Sequence, residues 1–107
     1  MANFKDLTLN IQKLDKFEGV GFWRWQKKVH FLLTTLNVVY VLTTPIPPYL
    51  TNGKEEPAET TRRRVKWHND EYICCGHILN ALSDPLFDLY QNVESAKDLW
   101  DALEANT

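Results

Sequence analysis

Five prolines, at positions 45, 47, 48, 57 and 85, divide this 107-residue chain into segments that can and cannot be helical. A proline inside a helix removes a backbone donor and clashes with the preceding turn. It also pushes the residue before it out of the helical region. Helices of several turns therefore have three places to form: before Pro45, between Pro57 and Pro85, and after Pro85. Before Pro45, Phe22, Trp25, Val29, Leu32 or Leu33, and Leu36 recur at steps of three and four, as one face of an amphipathic helix does. Lys27, Lys28 and His30 fall off that stripe, and Asn37 is placed to end the helix. Between Pro57 and Pro85 two stripes run together. One is Val65, His68, Tyr72, Cys75, Leu79 and Leu82; the other is Trp67, Cys74, Ile78 and Ala81. They predict a long central helix with a wide apolar face. Gly76 within it costs about 1 kcal/mol relative to alanine, for which a close helix crossing is one reason.

Pro57 suits a helix start, where its missing N–H is not needed. Pro85 likewise suits the first turn of a short helix carrying Leu86, Phe87 and Tyr90. Ser95 to Asp98 has the spacing of a capping box, with Asp in place of the better Glu. Ala96, Leu99, Trp100 and Leu103 then mark the buried face of a last helix. Asn52-Gly53 reads as a turn in an exposed loop. Residues 4–14 place Leu7, Leu9 and Ile11 in alternation, a strand or extended-arm signal, and Gly19 and Gly21 break the chain after them. Val38 to Leu42 fits either a strand paired with that arm or a helix continuing after a bend. The expected fold is all-α: a compact bundle of four to five helices, residues 22–107, behind an extended N-terminal arm, residues 1–21.

Composition narrows the function. The length suits one domain, and 44% apolar residues can fill one core. A net charge of −2 gives no global footprint for nucleic acid. Adjacent Cys74 and Cys75 cannot build a disulfide framework and fit a reducing, cytoplasmic setting. Residues 1–14 hold no continuous apolar run of the signal-peptide kind, and no stretch reaches the roughly 20 apolar residues of a membrane span. Gly19-Val20-Gly21 lacks the third glycine of a phosphate loop. Asp70, Glu71, Asp84 and Asp88 read as solvated helix faces, not as paired acid and base. Cys74 and His77 share a helix face, but a closed zinc site needs about four ligands. With His30 and His68 the remaining histidines, no metal and no cofactor are expected, and the cysteines read as small core residues. No enzyme activity is expected.

Two features point to contacts. Arg62, Arg63, Arg64 and Lys66 form the densest basic run; they could touch a polyanion such as RNA, or form a solvated face offset by Glu55, Glu56 and Glu59. Trp23 lies off the apolar stripe, where it either packs under the N-terminal arm or marks an interface.

Several stretches also resemble the Gag polyprotein of plant copia-type LTR retrotransposons. The first is Leu14-Asp15-Lys16-Phe17-Glu18-Gly19, followed by Phe22, Trp25 and the run from Gln26 to Leu36. The second is Val38 to Pro45. The third spans Arg62 to Trp67, Asp70, Tyr72 to Cys74 and Gly76 to Asn80. The last spans Ser83 to Phe87, Tyr90 to Lys97, Leu99 to Asp101, and Leu103. Together they cover most of residues 14–103. The resemblance implies the N-terminal lobe of a capsid region, helical, self-associating in a virus-like shell around element RNA. It favours helix for Val38 to Leu42. It also implies that Phe17, Gly19, Phe22, Trp25, Trp67, Ile78, Leu82, Leu99, Trp100 and Leu103 are framework positions. The partners implied are other copies of the chain and the rest of Gag, with RNA bound weakly here because the family's zinc knuckle is not in this sequence. A second capsid lobe is not in it either, so a fragment, a truncated copy or a host-adopted remnant is expected. Two alternatives are a nucleic-acid module using Arg62 to Lys66 and an adopted Gag domain that binds a host peptide between helices.

Overall fold

The computed structural model describes residues 16–49 and 56–107. The alternating arm at residues 4–14 and the Asn52-Gly53 turn lie outside the described residues. Within them the fold is all-α, with four α-helices and one 3-10 turn. The helices are α1 (Phe22–Thr35), α2 (Ala58–Asn80), α3 (Asp84–Tyr90) and α4 (Ala96–Ala105); the 3-10 turn is Val39–Leu42.

Both ends of α1 depend on left-handed backbone. Gly19 and Gly21 sit at φ 104° and 72°, and a Cβ built on either would meet nothing within 4 Å. Conformation, not space, is what calls for glycine at these positions. At the other end Asn37 takes φ 61°. Its N–H donates to the Thr34 carbonyl at 3.0 Å, and the Val38 N–H donates to the Leu33 carbonyl at 3.1 Å. That pair of bonds is a Schellman motif, with Asn in the left-handed position and its usual apolar contact supplied by buried Val38 and Leu33. The turn sends the chain off the helix axis, so Val39–Leu42 is neither the strand nor the continued α-helix that its β-branched run allows. It is one 3-10 turn that puts Val41 and Leu42 into the core.

Pro57 sits at the N-cap of α2. Of the two expected stripes, the one carrying Cys74, Ile78 and Ala81 is buried. The other is exposed over its first half, with Val65 63% and Tyr72 81% accessible, and His68 exposed between them. It joins the core from Cys75 onwards. The face of α2 is therefore narrower than expected. In its N-terminal half the buried positions are Arg64 and Asp70, of which Asp70 leads by steps of four to Cys74 and Ile78. Gly76 does not mark a close crossing, because a Cβ there meets nothing within 4 Å.

α3 starts with Pro85 in its first turn, and Ser95 caps α4 by accepting from the Asp98 N–H at 3.2 Å. Ala96, Leu99 and Leu103 point inward from α4. The core closes at Phe17. Its N–H donates to the Ala81 carbonyl at 2.8 Å, its carbonyl accepts from the Ser83 N–H at 2.9 Å, and the Trp25 indole N–H also donates to the Ala81 carbonyl at 2.9 Å. Phe17 stacks within 5.1 Å of Trp25 and 5.6 Å of Phe22. Phe17, Phe22, Trp25, Ile78, Leu82, Leu99 and Leu103 are all buried in one cluster, while Gly19 is exposed in the turn before α1. Trp100 lies half-buried, 6.3 Å from Trp25. Trp67 does not join that pair. It is half-buried, donates its indole N–H to the Thr44 carbonyl at 2.9 Å and meets the His68 ring edge-on.

Candidate interaction surfaces

The basic run divides once its side chains are placed. Arg64 is 5% exposed. Its Nε donates to the Pro47 carbonyl at 3.1 Å, its Nη2 donates to the Pro48 carbonyl at 2.9 Å, and the guanidinium lies 3.8 Å from the Tyr49 ring centre. Both Nη atoms also reach the Glu56 carboxylate, a forked ion pair. The reading of Arg64 as a solvated or polyanion-contacting residue is thus corrected. It is a clamp that fixes both ends of the segment joining the prolines to α2. The Arg64 fork, with a 2.6 Å hydrogen bond from the Thr61 hydroxyl, holds the Glu56 carboxyl down at about 2. The same pair raises the Arg64 guanidinium above its ordinary value.

Lys66 is also engaged. It donates to Asp70 Oδ2 at 2.5 Å, one turn on, and the Tyr40 hydroxyl donates to the same oxygen at 2.5 Å. Asp70, expected on a solvated face, is instead buried and anchors the 3-10 turn to α2. Burial pushes its carboxyl up, but the Lys66 and Tyr40 hydrogen bonds outweigh that and hold it below the ordinary value. Arg62 and Arg63 remain exposed.

Cys74 is fully buried, and burial pushes its thiol up to about 12. Burial also raises Cys75 and lowers half-buried His77. A thiol this far above neutrality carries almost no thiolate, the form that binds metal or attacks. Among the described residues no three His, Cys, Asp or Glu side chains are grouped to hold a metal. No helix among them is long and apolar enough to cross a membrane.

What remains is surface. Trp23 is 66% exposed and touches the Phe22 ring edge-on at 5.2 Å, so it is not packed away. Phe31, two turns along α1, and Leu89 on α3 are exposed too. Sequence reading passed over both. Phe31 was still legible: at about 100° per residue it lies opposite Phe22 and Val29. Leu89 sits in a helix too short to show a period. An open groove of about 730 Å³ runs between α2 and the α3–α4 connection, lined by Ile73, Cys75, Leu79, Phe87 and Val93 among others.

No family model, curated protein or solved structure matches the chain.

Proposed function

We propose that this chain is a self-associating structural domain, the N-terminal lobe of a copia-type Gag capsid region, working in the cytoplasm as part of a shell around element RNA. The observation that supports it most is how the residues of the resemblance divide. Seven of the ten expected as framework gather in one core around Phe17, Trp25, Ile78 and Leu99, with Trp67 and Trp100 packed at its margin and Gly19 outside it. Large apolar side chains are left outside on three helices: Trp23 and Phe31 on α1, Val65 and Tyr72 on α2, and Leu89 on α3. Scattered exposed apolar side chains are ordinary on a monomer, but an exposed tryptophan on the same helix as an exposed phenylalanine suits a contact surface. Many weak contacts between linked copies can sum to a stable shell.

RNA binding through Arg62 to Lys66 is the weaker reading, since Arg64 and Lys66 are already bound to carboxylates. The α2 groove favours a second reading, capture of an apolar peptide segment between helices. Negative-stain microscopy of the concentrated chain tests the main proposal. Rings, sheets or curved particles are the expected result. A field of single small particles at every concentration, with a peptide library selecting ligands for the groove, would move the assignment to the second reading.

A further inference from the structure

Two faces of the molecule are electrostatic opposites, and both carry exposed apolar side chains. Helix α1 holds three basic residues, Arg24, Lys27 and Lys28, and no acidic one. All three are exposed; Arg24 and Lys27 project with Phe31 from the side opposite buried Phe22, Val29 and Leu33, with Trp23 and Lys28 at the two edges of that face. The ion pairs among the described residues are Arg64–Glu56, Lys66–Asp70 and Lys97–Asp101, so α1 contributes to none of them. Helix α3 holds two aspartates and no basic residue. Asp84 and Asp88, one turn apart, are exposed beside Leu89 and Pro85. A net charge of −2 thus hides one helix whose charged residues are all basic and one whose charged residues are all acidic.

We propose that the outer face of α1 docks against the outer face of α3 on a second copy of this chain. This inference rests on the self-association reading and names the surfaces it uses. The charge match selects the partner. The face of α1 repels another α1, and that of α3 repels another α3, so the two-fold pairing of like faces is disfavoured and the unlike pairing is steered together. Trp23 and Phe31 supply the apolar anchors, and Leu89 meets them from the acidic side. A contact between two different patches leaves one patch open on each end of the pair. Such head-to-tail contacts close into rings or continue as open arrays, as a shell requires.

The test uses the full chain and two surface variants, Arg24→Glu/Lys27→Glu and Asp88→Lys, checked by melting curves to be folded. Light scattering after size exclusion at low salt reads the mass. The parent is expected to associate, less so as salt rises, and each variant alone to associate about tenfold or more weakly. An equimolar mixture of the two variants should associate more strongly than either alone, because the intact α3 face of one then meets the intact α1 face of the other. Trp23→Ser, which leaves all charges in place, should weaken the parent in the same assay. A parent that associates as before in both charge variants contradicts this interface while leaving self-association standing. A parent that never associates contradicts both. Binding of the parent to single-stranded RNA that Arg24→Glu/Lys27→Glu abolishes, with association unchanged, reassigns the α1 face to nucleic acid.

Discussion

Arg64 is a residue whose role is set by partners outside its own run of sequence. Its neighbours in sequence make it one of three arginines, but its hydrogen-bond partners are carbonyls 16 and 17 residues earlier and a carboxylate 8 residues earlier. No local pattern reveals such partners, which is why the run read as a uniform surface patch. The geometry separates Arg64 from its neighbours by experiment. Arg64→Lys keeps the charge but loses the planar fork that serves two carbonyls and a carboxylate at once. It should loosen the Pro47–Glu56 segment, seen as faster protease cleavage there, while Arg62→Gln and Arg63→Gln leave cleavage unchanged. Equal cleavage in all three variants would contradict the clamp. Glu56 adds a pH signature. Its folded value, about 2, lies below its ordinary value of 4.5, so the folded state favours the ionised form. The stability this contributes is present in full above about pH 4.5 and is lost as pH falls from there towards 2. Glu56→Gln should flatten that part of an acid-unfolding curve and leave the neutral region's slope unaltered.

At the level of elements, the long helices, the proline-marked starts of α2 and α3 and the serine cap of α4 were legible because each depends on residues within a few positions. The resolution of Val38–Leu42 was not, because a β-branched run does not say that Asn37 ahead of it turns left-handed. The choice between the two α2 stripes was not legible either. Both are apolar by period, and the buried side of the first half of α2 carries Arg64 and Asp70, polar residues that are buried because Glu56, Lys66 and Tyr40 meet them. Two stability predictions follow from this register. Ile78→Ala, fully buried on the winning row, should cost about 2–5 kcal/mol in denaturant melts. Tyr72→Ala, on the exposed row, should stay within about 0.5 kcal/mol of the parent. The reverse order would show the helix rotated from this account. Gly76→Ala should stabilise by up to about 1 kcal/mol, since the backbone is helical and the space for a methyl is open. A loss at this position would mean that the groove beside Gly76 closes more tightly than it does here.

For the molecule as a whole, the core and the surface belong to different kinds of evidence. The core follows from apolar period, and of the ten framework positions implied by the resemblance, Trp67 and Trp100 sit at its margin and Gly19 in a turn outside it. The surface follows from period only in part. Phe31 lies opposite the α1 stripe, but Tyr72 is on a stripe that pattern assigns inward and Leu89 sits in a helix too short to show a period, and it takes the packed fold to leave those two outside. Their exposure, with basic α1 and acidic α3, is the physical content of the claim that this domain meets copies of itself. Sedimentation velocity on the full chain over a wide concentration series, at low and high salt, tests that claim most directly. The account predicts a weight-average sedimentation coefficient that climbs with concentration at low salt and climbs less at high salt. A single monomer value at every concentration and both salts would contradict it.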